Sequence, residues 1–365
     1  MMRGLGIQAG PVCVGELTSK LSLLTNLPKP RMARNEVLIK VQCVGIGIDE
    51  IHAAEGSFLG IISSQPRRIS VESPLIPGLE CCGIIEDRGS DVPAQFKVGD
   101  AVLGFQKPMD RLQGTWAEYA IIPADFCLMH KPEEQTAQEA LASFFSGLVA
   151  CAALDVSRPV MERAERPRIL VCGASGSIGT LALQGVRHLW PNCADVFGVC
   201  SSRSASLATT AGASEVVAYD QVPEWGMDPR VRGKVDVVID LVGGDQSETQ
   251  AGHALRRGGK FVTMVGPVQF LGDKKSSMWE FFMWACKVGL KFVPRLSRHY
   301  EYNLSDVGSH MPGALTTWRA LAHENVFHPR IQEAISMNDV DAVCAAIQRV
   351  RKHGNQGKVI INVVE

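Results

Sequence analysis

The stretch that decides the fold of the middle of this chain is Arg168-Ile-Leu-Val-Cys-Gly-Ala-Ser-Gly-Ser-Ile-Gly179-Thr-Leu-Ala-Leu-Gln184. An apolar run typical of a buried strand leads into glycines spaced three residues apart and then into an amphipathic helix. Small residues let the backbone approach a pyrophosphate, whose charge then lies at the helix amino terminus. We therefore predict a nucleotide-binding turn; an ordinary glycine turn is the alternative. The expected contact residues are Gly173, Ala174, Ser175, Gly176, Ser177, Ile178 and Gly179.

Around this turn, strand-like and helix-like segments alternate. A helix rich in Ala and Leu is expected over Gln138–Leu154, and further helices from Ser177 and over Ser204–Thr210. Alternation of this kind predicts a parallel, doubly wound α/β sheet. The predicted strands are Ile169–Cys172, Val196–Cys200, Val216–Ala218, Val235–Asp240 and Lys260–Val265.

The first third of the chain is strand-like. Short apolar runs at Val37–Val44, Gly83–Glu86 and Ala101–Phe105 lie between glycines, prolines and aspartates, which predicts a barrel-like β domain. The last strand, Lys358–Val364, has no evident partner in the α/β part and is expected to return to the β-rich domain. We therefore expect a β-rich domain from residues 1–140 and 318–365 around an α/β domain from 141–317.

Composition narrows the function classes. The 365 residues carry a formal net charge of -1 and 46% are hydrophobic, which gives no electrostatic reason to expect nucleic acid or an anionic membrane as a partner. The 11 cysteines are scattered, as in a reducing compartment, and no secretory signal is evident, so we expect a cytoplasmic protein. The apolar segment Met278–Val293 is short and interrupted by charges, so a buried or interface helix is expected rather than a membrane span.

The residues after the second α/β strand predict which nucleotide binds. An NAD site carries Asp or Glu there, which accepts hydrogen bonds from the ribose hydroxyls. Here Ser201, Ser202 and Arg203 follow the strand, and no acidic residue lies between Val196 and Ser214. Two hydroxyls and a guanidinium suit a phosphate dianion. The expected cofactor is therefore NADPH, unless Arg203 is only a solvated residue at a helix start.

Several motifs together resemble the medium-chain dehydrogenase/reductase superfamily and, within it, the zinc-independent quinone reductase branch that includes zeta-crystallin-like proteins. The resemblance covers nearly the whole chain. It implies a GroES-like catalytic domain formed by both chain termini around a Rossmann-type domain, an opening strand close to Met1, and a homodimer paired through the sheet edge near Phe261–Val293. The motifs are Pro77–Gly83, Phe96–Val102, Gly114–Tyr119, Gly173–Gly179, Gly212–Tyr219, Val235–Gly244 and Gly357–Ile360.

Further cofactor contacts follow from the resemblance and from position. Ligands bind at the carboxyl ends of the strands in such sheets, where two glycine pairs follow predicted strands. The residues expected to complete the cofactor site are Tyr219, Val242, Gly243, Val265, Gly266 and Lys358.

Zinc members of the superfamily place a Cys and a His where this chain has Gly47 and Leu79, although Glu80 is kept. Catalytic zinc needs about three protein ligands and an open position, and a cysteine-rich structural lobe is missing from the sequence as well. We therefore expect no metal, with His52 as a reason for caution.

Without zinc, hydride transfer to an activated acceptor remains feasible, such as a quinone or a carbonyl-conjugated alkene. Asp49, Glu50 and His52, in the predicted loop Gly45–His52, are candidates for proton delivery or for orienting the nicotinamide; surface or capping groups are the alternative. Enoyl reductases with a tyrosine acid are disfavoured because no tyrosine lies in this loop. The expected function is an NADPH:quinone oxidoreductase. The alternatives are an enone, 2-alkenal or enoyl reductase, and an NADPH-binding scaffold or crystallin-like protein with little turnover.

Overall fold

A computed structural model describes residues 1–55, 57–58, 62–63, 69–106, 112–125, 127–267, 279, 282–283, 286, 289, 299–304, 307–352 and 354–364. The chain divides into two compact units. Unit 1 contains Met1–Phe145 and Arg330–Glu365, and unit 2 contains Ser146–Phe270 and Phe282–Pro329. Both chain ends thus belong to unit 1. The domain limits expected at 140/141 and 317/318 stay predictions.

Within the described residues, strands and helices succeed one another along the chain. The strands are β1 (Met2–Gly6), β2 (Ser22–Leu27), β3 (Glu36–Ile46), β4 (Ser57–Phe58), β5 (Ile62–Ser63), β6 (Glu80–Arg88), β7 (Ala101–Phe105), β8 (Tyr119–Pro123), β9 (Leu128–His130), β10 (Arg168–Cys172), β11 (Asp195–Cys200), β12 (Glu215–Ala218), β13 (Val235–Asp240), β14 (Leu255–Thr263), β15 (Glu301–Leu304), β16 (Ile331–Ser336) and β17 (Lys358–Asn362). The helices are α1 (Leu17–Lys20), α2 (Ile48–Ala54), α3 (Ala137–Met161), α4 (Ser177–Leu189), α5 (Ala205–Thr210), α6 (Gly244–Ala254), α7 (Val307–His323) and α8 (Val340–Arg351).

Unit 1 is built around β3, the long strand that the apolar run Val37–Val44 predicts. Its sheet has the order β16-β17-β3-β6-β7-β9, and β8 also pairs with β3. The last strand, β17, runs antiparallel to β3, with Val359 opposite Ile46. The expected return of the chain end to the β-rich domain is therefore confirmed, as is an opening strand near Met1, which pairs with β2.

Unit 2 has a parallel sheet with the order β12-β11-β10-β13-β14-β15. In order of appearance this is 3-2-1-4-5-6, the Rossmann arrangement. The β13 strand, Val235–Asp240, is buried along its whole length, as expected for a strand covered on both faces. The predicted α/β alternation is confirmed.

Some local predictions were wrong. The segment Gly45–His52 is not a loop: Gly45 and Ile46 end β3, and α2 begins at Ile48. Asp49 and Glu50 lie in the first turn of α2, where carboxylates interact favourably with the helix dipole. The helix expected to begin at Ser204 begins at Ala205, after a short 3₁₀ turn over Ser202–Ser204.

The sequence offers one segment that could be mistaken for a membrane span, Met278–Val293, and most of it lies outside the described residues. In that segment the described side chains Trp279, Phe282 and Met283 are exposed. Of the described helices, α3 is the one long and apolar enough to cross a membrane, and 89% of its most apolar 18-residue window is buried inside the protein. The apolar character of α3 is therefore accounted for by its packing in the core.

Candidate active site

The carboxyl ends of β10, β11 and β12 bring three segments of unit 2 together. The N–H groups of Gly173 and Ala174 donate to the Val199 carbonyl at 3.0 and 3.1 Å, and the N–H of Tyr219 donates to the Cys200 carbonyl at 3.1 Å. Neighbouring parallel strands end at one edge of the sheet, so the glycine turn, Ser201–Arg203 and Tyr219 lie along that edge. This edge is where ligands bind in doubly wound sheets.

The glycine turn has the geometry that an anion site requires. Gly173 has a φ of +76°, which favours glycine. A Cβ on Gly179 would lie 2.9 Å from the Ala174 Cα, so only glycine lets α4 approach the turn this closely. Gly176 is the N-cap of α4 and supplies no side chain to cap it. The first N–H groups of the helix are therefore left for an anionic ligand.

Asp240, the last residue of β13, holds the two loops that were expected to line the cofactor. Its carboxylate accepts from the N–H groups of Val242 and Gly243, both at 3.1 Å, and from the hydroxyl of Thr263 at 2.9 Å. The Thr263 hydroxyl in turn accepts from the Gly266 N–H at 2.9 Å. Burial raises the pKa of Asp240, while these donors work against that rise. Sequence reasoning missed this role, although Asp240 stands in the Val235–Gly244 motif.

A second carboxylate that the sequence did not bring to notice lies beside Ser202. Asp220 accepts from the Ser202 N–H at 2.8 Å and from the Ser202 hydroxyl at 2.6 Å. It lies two residues beyond the end of β12, so it reaches the end of β11 from the neighbouring strand. Arg203 and Tyr219 are exposed beside it. The signal available in the sequence was the acidic residue just after the third predicted strand.

Unit 1 contains the remaining candidates in a separate cluster of charged side chains. The end of β3 lies beside the starts of β6 and β17, because Val44 pairs with Cys81 and Ile46 with Val359. This register brings Glu80 and Lys358 together as an ion pair, with the Glu80 side chain 1% and the Lys358 side chain 8% exposed. Lys358, expected among the cofactor contacts, thus has Glu80 as its ion-pair partner.

Glu50 belongs to the same cluster. Burial raises the pKa of Glu50 to about 8; Lys358 opposes the rise and the carboxylate of Glu80 adds to it. Burial alone would lower the pKa of Lys358, but the carboxylates, first Glu80 and then Glu50, outweigh that effect and raise it. The cluster therefore combines a stable cation with a carboxyl group that can hold a proton near neutral pH.

The other two candidates for proton delivery differ in accessibility. Asp49 is exposed, whereas His52 is buried, with 4% of its surface accessible. Burial also raises the pKa of Asp49, on which Lys358 acts in the opposite direction and Glu80 in the same direction. Glu50 differs from Asp49 in its low accessibility, with 5% of its surface exposed, and in the size of its pKa rise.

The donor set does not fit a catalytic zinc. Gly47 and Leu79 carry no ligand atoms, and a Cβ on Gly47 would lie 2.5 Å from the Glu50 Oε2. The Glu50 carboxylate thus lies where a side chain at position 47 would begin. Within the described ranges no group of three or more His, Cys, Asp or Glu side chains is arranged to hold a metal ion.

Two family models match the sequence. The alcohol dehydrogenase GroES-like domain matches residues 33–133, and a domain described as zinc-binding dehydrogenase matches residues 211–361. These matches agree with a β-rich unit and a nucleotide-binding unit in one chain.

Individual proteins are similar over most of the chain. The mitochondrial NAD(P)H oxidoreductase RTN4IP1 of Danio rerio is 28% identical over 344 residues, covering 91% of this chain and 84% of that protein. The trans-enoyl reductase RAP2 of Pyricularia oryzae is 29% identical over 271 residues, covering 70% of each. The structure of Escherichia coli quinone oxidoreductase complexed with NADPH has a TM-score of 0.68 and 20% identity, with 99% of both chains covered. At that identity, the structural likeness shows the fold alone.

Proposed function

Since the chain belongs to the medium-chain dehydrogenase/reductase superfamily, we propose that it is an NADPH-dependent reductase of the quinone oxidoreductase branch, which delivers hydride to a quinone without using zinc. The observation that carries this proposal is the uncapped amino terminus of α4 at Gly176, set against the ends of β10 and β11. Backbone N–H groups at such a terminus bind a pyrophosphate without side-chain help.

The residues of unit 2 would hold the cofactor along the sheet edge. Gly173–Gly179 would bind the pyrophosphate, and Ser201–Arg203 with Tyr219 would bind the adenosine end. The loops Val242–Gly243 and Val265–Gly266, which Asp240 and Thr263 hold in place, would line the path toward the nicotinamide. When bound, NADPH supplies the hydride.

The charged residues of unit 1 would supply the proton and stabilise the developing negative charge. Reduction of a quinone or a conjugated alkene by hydride leaves an oxyanion or a carbanion equivalent that must gain a proton. Glu50, with its raised pKa, would hold that proton on a carboxyl oxygen near neutral pH. Lys358, paired with Glu80, would provide the positive charge that favours the developing anion. Asp49 and His52 remain alternative donors in this proposal.

The second candidate is an enone, 2-alkenal or enoyl reductase. It is supported by the similarity to a trans-enoyl reductase over 70% of the chain. The two candidates need the same cofactor site and differ in the acceptor. A quinone can take its protons from water, which suits a helix that carries no tyrosine beside Asp49–His52.

The test of the function is NADPH oxidation against matched panels of quinones, 2-alkenals and enoyl thioesters. Turnover on quinones but not on the other two classes supports the first candidate, and the reverse supports the second.

Arg203→Glu should raise the KM for NADPH about tenfold, because it replaces an attraction to the 2′-phosphate by a repulsion, while the KM for NADH changes less. An unchanged NADPH/NADH preference would count against the role of Arg203. Loss of NADPH oxidation on every panel would overturn the enzyme proposal.

Zinc independence is tested by metal analysis of the purified protein together with activity after dialysis against a chelator. We expect substoichiometric zinc and unchanged turnover, because Gly47 and Leu79 supply no ligand atoms. One zinc per chain that is lost in parallel with activity would refute this part of the proposal.

We further propose a homodimer. In the described part of unit 2, β15 (Glu301–Leu304) is one of the two edge strands of the sheet, and an exposed edge can pair with a second copy of the chain. Light scattering after gel filtration should give twice the chain mass of 39.5 kDa at micromolar concentration; a monomer mass would rule this out.

We propose the cytoplasm as the compartment, on the scattered cysteines, all of which are free thiols in the structure. The relatives of the RTN4IP1 type carry the word mitochondrial in their names. Imaging of the full chain with a carboxyl-terminal fluorescent tag distinguishes the two, and colocalisation with a mitochondrial marker would overturn the cytoplasmic proposal.

A further inference from the structure

The two hydrogen-bond donors of Ser202 are already engaged in the structure. The backbone N–H donates to one oxygen of Asp220 at 2.8 Å and the hydroxyl donates to the other at 2.6 Å. Ser202 opens the short 3₁₀ turn that follows β11, whereas Asp220 follows the next strand, β12. The contact is thus made between two strand ends, at the edge of the sheet that bears the glycine turn.

This is the position at which a dinucleotide site distinguishes its two forms. The residue after the second strand faces the ribose 2′ position, which bears a hydroxyl in NADH and a phosphate in NADPH. A phosphate oxygen would accept from the same N–H and O–H that Asp220 now uses. Phosphate and carboxylate therefore compete for Ser202, and both are negatively charged.

Asp220 is ionised at neutral pH and therefore competes with a phosphate for Ser202 throughout that range. The hydroxyl and N–H of Ser202 lower the pKa of Asp220, and Arg203 lowers it slightly further. Asp220 consequently stays ionised well below pH 6. Its charge also offsets part of the attraction that Arg203 would exert on a phosphate.

We propose that Asp220 is a specificity-determining residue for the nucleotide, which weakens binding of the 2′-phosphate and lets the site accept NADH beside NADPH. The inference rests on the proposed NADPH site. Asp220 restrains Ser202 and repels the phosphate, while its oxygens can accept from the 2′-hydroxyl of NADH, as the acidic residue of an NAD site does. It thus supplies from β12 the carboxylate that is missing at the end of β11.

The test compares dissociation constants for NADPH and NADH, measured by fluorescence titration of the full chain. Asp220→Asn should shift the ratio of the two constants about tenfold toward NADPH, because it removes one repulsive charge and leaves only one side-chain oxygen that can compete for a Ser202 donor. Glu215→Gln is the matched control: it removes the same charge at the other end of β12, where Glu215 contacts Arg230 at 3.5 Å, and should leave the ratio unchanged.

A double-mutant cycle separates competition for Ser202 from a general charge effect. Ser202→Ala should weaken NADPH binding less than twofold in the wild-type background, since Asp220 holds the hydroxyl, but severalfold in the Asp220→Ala background. Thermal unfolding of each variant checks that the fold is kept. Additive effects in the cycle, or an unchanged ratio in Asp220→Asn, would refute the proposal. Wild-type protein that binds neither nucleotide would instead remove the NADPH premise itself.

Discussion

Glu50 shows how one buried carboxyl can link the chemistry of unit 1 to its stability. It lies in the first turn of α2, 5% exposed, and its pKa is raised to about 8, chiefly by burial. A carboxyl whose pKa is raised on folding binds its proton more tightly in the folded state. Its ionisation therefore disfavours the fold, and this cost grows as the pH rises from the unfolded value, about 4.3, to about 8.

Glu50→Gln tests both consequences. We expect the kcat of the wild type to fall above pH 8, because Glu50 then loses the proton that it would donate. The pH profile of Glu50→Gln should lack this fall above pH 8. Its kcat should be about 10²-fold lower, within the usual range for a lost general acid. Relative to the wild type, the variant should also be more stable at pH 9 than at pH 6, by a few degrees in Tm, because only the wild type loses stability as Glu50 ionises. The measurements are pH–rate profiles and thermal unfolding.

Asp49→Asn is the matched control, because it changes the exposed neighbouring carboxylate of the same turn. If the limb above pH 8 persists in Glu50→Gln and vanishes in Asp49→Asn, then the proton donor is Asp49 and not Glu50. If it persists in both, His52 becomes the residue to change.

Candidate site residues could be identified from the sequence only where the neighbouring residues mark them. Gly173–Gly179 and the Ser201–Arg203 segment stand next to the strands they serve, and the local pattern was enough to single them out. The contacts of Asp220 with Ser202 and of Asp240 with Thr263 join residues 18 and 23 positions apart. Those contacts depend on which strands are neighbours, and local periodicity carries no such information.

At the level of elements, the packing of α4 against the glycine turn distinguishes two glycines. Gly179 is required for close packing, whereas Gly176 is proposed to contact the cofactor. A Cβ on Gly179 would lie 2.9 Å from both the Gly173 carbonyl carbon and the Ala174 Cα, which are backbone atoms that must shift. A Cβ on Gly176 would come no closer than 3.4 Å to the Gly173 oxygen, which is ordinary contact.

Gly179→Ala should therefore destabilise the protein by about 2 kcal/mol, as overpacking does, and weaken NADPH binding in step. Gly176→Ala should leave Tm nearly unchanged but weaken NADPH binding, because a methyl group would intrude where the backbone approaches the pyrophosphate. Thermal unfolding and NADPH titration check this. Equal losses of stability in the two variants would contradict the packing interpretation.

The sequence predicted the buried strands correctly, but it missed edge strands and the helix that begins after Gly47. Strands such as β10 and β13 are rich in Val, Ile and Leu and are buried along nearly their whole length, as strands of a covered parallel sheet are. The edge strands β15 and β16 have mixed, half-exposed residues, so no periodicity marks them. The segment Gly45–His52 was wrongly predicted to be a loop, whereas Gly47 is the N-cap of α2.

On the scale of the whole molecule, a buried ion pair holds the first and last parts of the chain in unit 1. Arg351, the last residue of α8, pairs with Glu55, which follows α2; their side chains are 1% and 0% exposed. Glu55 also accepts from the N–H groups of Gly15 and Leu17, at 3.0 and 3.2 Å. The N-terminal segment, α2 and the C-terminal helix thus share one carboxylate.

Arg351→Met should cost about 3–5 kcal/mol, because it leaves the Glu55 charge buried without its cation. Adding Glu55→Gln should recover part of that loss, since the amide oxygen can still accept from Gly15 and Leu17. Arg349→Met, in the same helix, breaks a half-exposed pair with Glu333 and should cost less than about 1 kcal/mol. Chemical denaturation measures all of these; a loss no larger in Arg351→Met than in Arg349→Met would contradict the assignment.

The pairing of β17 with β3 also fixes an order of events during synthesis. The ribosome makes every described strand of unit 2 before it reaches Lys358–Asn362. Until then the stretch of β3 at Cys43–Ile46 lacks the partner strand that the finished protein gives it. An open strand edge invites pairing with other chains. The growing polypeptide therefore leaves this edge of β3 without its partner strand until Lys358–Asn362 has been made.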